Sequence, residues 1–197
     1  MARRKKKKRR DIVIDEEAEF SAKRDALLLI RDILIAFGVI VVFLQFLGPT
    51  IVFETSMENT LHENDYVFLA KKAYAFGSEQ PERGDIVVFR SELLDEHGAK
   101  KNLIKRVIGL PGDTVEVHDG YVWINGEYLE EPYTKEGVTE GVMAAVVVPE
   151  DAYFMMGDNR RVSEDSRAPE VGCVSIDRIR GKVVFRLLPF SNVGVVH

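Results

Sequence analysis

Cysteine is almost missing from this chain. Cys173 stands alone, which excludes an intrachain disulfide and leaves stability to an apolar core. Its simplest role is that of a small buried hydrophobe. Histidine is scarce as well. Of the four, His97 and His118 abut glycine turns, His197 is terminal, and His62 has no identifiable orienting carboxylate. Imidazole chemistry therefore has little support, and nothing calls for a metal or another cofactor. Acids are missing from residues 1–10, which hold eight Lys or Arg. Charge of either sign, and histidine, are missing from the 21 residues Ile33 to Phe53. No internal repeat is present.

What is there fits one membrane segment and one globular domain. The 197 residues are 46% apolar and 30% charged, a balance typical of folded chains. The net charge is -5 although the start is strongly basic, so the remainder is acidic. A basic run can be a nucleic-acid arm. Here it precedes an apolar run of the length that spans a bilayer, about 20 residues, which points to a membrane and to no nucleic acid. The pattern predicts a helix from near Ala26 to Leu47, stopped by Gly48-Pro49. Arg31 and Asp32 would snorkel to the headgroups. The run exceeds the roughly 7–15 apolar residues of a cleavable signal, which favours a retained anchor in contact with membrane lipid. Basic residues before the span place the N-terminus in the cytoplasm and the following domain outside. The expected division is a basic tail over 1–25, an anchor over 26–48 and a β-rich domain over 49–197.

After Pro49 the sequence reads as strands. Ile51–Thr55, Tyr66–Lys71, Ile86–Arg90 and Leu103–Leu110 are short β-branched or aromatic runs bounded by turn residues. Thr114–His118, Tyr121–Ile124 and Glu127–Leu129 are joined by Asp119-Gly120 and Asn125-Gly126, the strongest short hairpin signals. Val142–Val148, Tyr153–Met156 and Lys182–Leu188 complete the set. Many short strands predict a mainly β domain, an antiparallel barrel or sandwich, after one transmembrane α-helix. The stretch from about 115 to 150 reads as a hairpin-rich insertion. Short helical turns are expected at Ser56–Leu61 and Ser175–Arg180.

Three segments carry chemistry. Ser56-Met57-Glu58-Asn59-Thr60-Leu61 offers a hydroxyl, a poor nucleophile until its proton is removed. In Leu103–Leu110, alternation puts Lys105 on the same face as Leu103 and Val107, with Ile104, Arg106 and Ile108 opposite. A lysine so placed is either partly buried or a snorkelling rim residue. If buried, its pKa falls from about 10.4 and it can act as a base. The third segment, Gly157-Asp158-Asn159-Arg160-Arg161-Val162-Ser163-Glu164-Asp165-Ser166-Arg167, follows the apolar Tyr153–Met156. It reads as a polar loop leaving the core, or as an ordinary solvated turn.

Together with Arg83-Gly84-Asp85-Ile86-Val87-Val88-Phe89, these segments resemble the bacterial type I signal peptidases, in order and spacing, across essentially the whole chain. The resemblance implies a membrane-anchored serine endopeptidase whose partners are the signal peptides of exported preproteins. It implies Ser56 as nucleophile, Lys105 as general base and Ser163 as the serine that hydrogen-bonds and orients the lysine amine. Asp158, Asp165 and Arg167 match the group bracing the loop, with Arg167 bridging the carboxylates. Val52, Met57, Leu61, Leu103 and Ile104 match residues of shallow pockets for small side chains, beside which a signal peptide would lie extended.

Two positions depart from the family pattern. The usual proline three residues after the nucleophile is Asn59. Two residues before the nucleophile, where some relatives carry a hydroxyl or glycine, stands Glu54. An ionised carboxylate would repel an oxyanion, so Glu54 is expected to point away. The rival reading is a catalytically silent, membrane-anchored β-domain that binds exported peptides. Ser-Lys self-cleaving repressors share the dyad but should open with a DNA-binding helix pair. The endoplasmic-reticulum signal peptidases use histidine where this chain has Lys105.

Overall fold

The computed structural model describes residues 2–71, 73–74 and 79–197, with side chains from residue 20 onward. Two compact units are separated, residues 1–45 and 46–197.

The first unit is helical. Helix α1 runs Ala2–Phe46 without interruption, so it starts well before Ala26. The reason is local: Lys, Arg, Glu and Ala are good helix formers and no proline interrupts the segment. Its Phe20–Phe46 portion is long and apolar enough to cross a membrane. Phe20, Leu27, Ile33, Leu34, Phe37 and Val39 are each more than half exposed, and from Ile33 to Phe46 the helix carries no charge on any face.

Among its described residues the second unit has twelve strands: β1 (Leu47–Ile51), β2 (Tyr66–Ala70), β3 (Ile86–Leu94), β4 (Lys100–Gly109), β5 (Thr114–His118), β6 (Tyr121–Ile124), β7 (Glu127–Tyr128), β8 (Met143–Val147), β9 (Ala152–Met156), β10 (Val174–Ser175), β11 (Ile179–Leu188) and β12 (Gly194–Val195). The described pairings are antiparallel. One sheet has the order β1-β2-β11-β3-β4-β9-β10, with β12 on β11, and the other β7-β6-β5-β8. The chain is thus mainly β, with two antiparallel sheets and one N-terminal helix.

The hairpins at Asp119-Gly120 and Asn125-Gly126 form as expected, all four residues at positive φ. The strand expected at Ile51–Thr55 does not. Pairing with β2 begins at Leu47 and ends at Ile51, so Gly48-Pro49 lies inside a strand. Proline is tolerated there because β1 is an edge, where a missing N–H breaks no ladder. The freed residues Val52–Glu54 lead into a 3-10 turn, Thr55–Met57.

Three apolar clusters hold the domain. Val52, Met57, Leu61, Val67 and Val183 form one, and Val87, Phe89, Leu103, Val107 and Met155 the second. The third joins the sheets, with Ile108, Phe154 and Met156 of the large one against Val115, Val122 and Val148. Cys173 packs on this third cluster, and burial pushes its thiol pKa up.

Candidate active site

Ser56 sits in the 3-10 turn because Met57 and Leu61, 1% and 0% exposed, pin that turn into the first cluster. Glu58 N–H donates to Thr55 O at 3.1 Å and Leu61 N–H to Met57 O at 2.8 Å, closing the backbone around the serine. From the other side, Asn159 N–H donates to Ser56 O at 3.0 Å. Only glycine allows that approach: a Cβ on Gly157 would collide with Ser56 O and with the Ser163 hydroxyl.

Strand β4 brings Lys105 to the serine. Leu103 and Val107, its neighbours along the face, both belong to the second cluster, so the lysine enters the site through apolar surroundings. Its Nζ donates to Ser56 Oγ at 2.7 Å, and the residue is 0% exposed. Burial holds its pKa below the ordinary lysine range, partly offset by Glu54 and more weakly by Asp165 and Glu164. The Glu54 carboxylate is turned toward the amine, its Oε2 3.7 Å from Nζ.

Ser163 does not meet the lysine. Its Oγ is buried against Gly157 and makes no hydrogen bond, so the expected bond to the amine is not formed. The carboxylates also differ from expectation. Arg167 holds Asp165 alone, through Nε at 2.8 Å and Nη2 at 2.9 Å, and donates to Arg160 O. Asp165 in turn accepts Gly157 N–H at 3.0 Å. Asp158 belongs to Arg106, which donates from Nε at 2.9 Å and Nη2 at 2.8 Å, while Thr60 Oγ1 donates at 2.5 Å. One arginine cannot bridge both carboxylates because each already fills a separate guanidinium fork.

Arg106 is therefore a buried tie behind the site that sequence reading passed over. The signal existed. Both faces of Leu103–Ile108 are apolar, so Arg106 had to be buried, and a buried guanidinium demands an acid. Arg160, locked to Glu131 at 2.6 Å with its Nε on Gly157 O, is a second such residue.

A cleft of about 410 Å³ opens beside Ser56, lined by Val52, Met57, Val88 and Ile104 and reaching Lys100 and Lys101. Of the five expected pocket residues, Leu61 and Leu103 do not line it; both are core. Past Arg106, β9 pairs with β4, whereas Lys100–Lys105 has a described strand partner only in β3. An open strand edge thus faces the cleft. No group of His, Cys, Asp and Glu among the described residues is placed to hold a metal ion.

A family model described as "Signal peptidase, peptidase S26" matches residues 26–188. The chain belongs to the S26 signal peptidases. It is 36% identical over 190 residues to Signal peptidase I of Bacillus licheniformis, covering 90% of this chain and 97% of that protein. Signal peptidase IB of Staphylococcus aureus (strain COL) is 33% identical over 188 residues, 86% of this chain and 93% of the relative. A crystal structure of a signal peptidase I from Enterococcus faecalis V583 matches at 33% identity and TM-score 0.43, over 53% of this chain and 97% of that one. As an S26 member the chain is a serine peptidase, a hydrolase. Its Asn59 has a conformational reason to stand where the family usually has proline. Its φ is 95°, which proline's ring forbids, and its Nδ2 donates to Tyr133 O at 3.2 Å.

Proposed function

We propose that this S26 peptidase is anchored by α1 and removes signal peptides from exported preproteins, with Ser56 as nucleophile and Lys105 as general base. The observation that carries the reading is the 2.7 Å contact between the amine of a fully buried lysine and Ser56 Oγ. A lysine is a base only when neutral, and desolvation is the means of making it so near neutral pH.

The neutral Nζ takes the Ser56 proton as Oγ attacks the scissile carbonyl carbon. The resulting ammonium returns that proton to the departing amine when the C–N bond breaks. Water, deprotonated by the same amine, then opens the acyl-enzyme and restores Ser56. Oxyanion charge is met by aimed donors, of which the Ser56 backbone N–H is one. Asp158, Asp165, Arg106 and Arg167 hold the two chain segments around the pair without touching the reacting atoms.

The substrate would lie extended along the free edge of Lys100–Lys105, with small side chains directed to Val52, Met57 and Ile104. The basic start of α1 favours a cytoplasmic N-terminus, a single pass through Phe20–Phe46, and a catalytic domain outside. The test is incubation of the detergent-solubilised full chain with a preprotein, followed by sequencing of the new N-terminus. Cleavage after a signal peptide, lost in both Ser56→Ala and Lys105→Ala, is expected. A Lys105→Ala protein keeping a tenth of the activity would rule out the dyad.

A further inference from the structure

Among the described residues, Ser56 Oγ lies 2.7 Å and Glu54 Oε2 3.7 Å from Lys105 Nζ. The hydroxyl expected to orient the amine, that of Ser163, makes no hydrogen bond. Glu54 is the extended residue just before the nucleophile turn, φ −113° and ψ 153°, and lines the cleft with Ser56. The lysine side chain is 0% exposed while that of Glu54 is 45% exposed, so one end of the pair is dry and the other wet.

We propose that Glu54 is a positioning residue that acts through Lys105: its carboxylate anchors the amine opposite Ser56 and is the counter-ion of its charged form in the free enzyme. The role rests on the Ser56–Lys105 reading above. It assigns work to a position where some relatives carry a hydroxyl or glycine.

The surroundings of the amine leave Glu54 as its direct charged contact. From β3 the residue paired with Lys105 is the apolar Val87. The nucleophile turn contributes Ser56. The loop after β9 contributes Asp165 and Glu164, whose influence on the lysine is smaller than that of Glu54. Asp165 is already matched by Arg167, and Glu164 is exposed. Burial drives the amine toward its neutral form and Glu54 opposes it. The carboxylate therefore delays loss of the proton to higher pH while keeping Nζ aimed at the serine. An attraction reaching into solvent on one side is also weakened by salt.

The experiment is the pH profile of kcat/KM, which reports ionisations of the free enzyme, for wild type, Glu54→Gln and Lys105→Ala, with a fluorogenic signal-peptide substrate at low and high ionic strength. Glu54→Gln should move the rising limb toward acid by about half a pH unit or more. Relative to each enzyme's own plateau that is about a threefold gain at fixed pH on the limb, since rate there is proportional to the neutral fraction, while the plateau of Glu54→Gln falls because the amine has lost its anchor. Raising salt should move the wild-type limb in the same direction and leave that of Glu54→Gln in place. The wild-type salt response needs no variant, so it tests the idea even if the substitution perturbs folding. A Glu54→Gln limb superimposable on wild type, or a wild-type limb indifferent to salt, overturns the role of Glu54 while the dyad stands. Activity in Lys105→Ala would instead remove the reading beneath it.

Discussion

Arg106 and Asp158, 52 residues apart, meet as a two-pronged guanidinium–carboxylate pair directly behind the strand position of Lys105. Both are buried, at 2% and 0% exposure, and Arg106 also donates to Gly84 O and lies 4.0 Å above the Tyr133 ring. The pair ties β4, which carries the lysine, to the loop that grips Ser56 O through Asn159.

Breaking that tie is expected to be costly. Removing one partner strands a buried charge, worth about 3–5 kcal/mol. Arg106→Ala should lower Tm by roughly 10 °C, at about 2–4 °C per kcal/mol for a domain of this size. Arg106→Lys should recover only part, because an ammonium cannot make the fork. Thermal melts of the two variants beside wild type decide it; a shift under about 2 °C in Arg106→Ala would mean that solvent reaches the carboxylate.

Asn59 supplies a second test. Its φ of 95° and its bond to Tyr133 O fasten the nucleophile turn to the segment after β7. Lys135, paired with Glu58 at 2.5 Å, adds to the same connection. Proline would force φ to about −65°. Asn59→Pro, although it restores the usual family residue, should therefore destabilise the turn by more than about 1 kcal/mol and reduce activity. Asn59→Gly keeps the conformation and should lose only the side-chain bond, about 1 kcal/mol. Equal stability of Asn59→Pro and wild type in denaturant melts would show that the turn readily adopts the alternative form.

The strands were legible where local chemistry decides them. Alternation and the Asp-Gly and Asn-Gly turns marked β5, β6 and β7, and the apolar flanks of Lys105 marked it as burial-prone. What escaped reading depends on partners distant in sequence. Leu47–Ile51 is a strand only because β2 lies beside it, overriding the breaker Gly48-Pro49. The Arg106 partner is chosen by how β4 and β9 align, not by any nearby spacing. The approach of Glu54 to the lysine was not legible, because it depends on β4 lying beside the nucleophile turn. Helix α1 was expected only from near Ala26, although the charged residues before it propagate helix well.

Substrate choice should follow from the cleft. Val52, Met57 and Ile104 line it beside Ser56, and Val52 and Met57 are 2% and 1% exposed, so the floor is rigidly packed. Alanine at the first and third positions before the cut should be accepted, and phenylalanine or leucine at either should reduce kcat/KM at least a hundredfold, about 2.7 kcal/mol of lost transition-state binding. A peptide series varied at those two positions reads this directly. Efficient cutting after phenylalanine would mean that Ile104 and Met57 yield.

Lys105 should be a liability for stability and indispensable for activity. Burial lowers its pKa, so the folded state disfavours the charged form that the unfolded chain carries up to about pH 10.4. Below the folded pKa, the unfolded state and the native state both bind the proton and the full penalty is present. Between the two pKa values the unfolded state holds more protons, so stability rises with pH, and above both the penalty is gone. Lys105→Met removes the group at similar length. It should raise Tm at neutral pH, abolish cleavage, and lose its stability advantage as pH climbs toward 10. Lys105→Arg should abolish cleavage without that gain, because guanidinium stays charged. Single-turnover rates in wild type should rise with pH through one ionisation below lysine's ordinary value. A wild-type rate flat from mildly acidic to alkaline pH would show that the buried amine is not the titrating base, and a Lys105→Met protein less stable than wild type at pH 7 would show that it is not a cost to the fold.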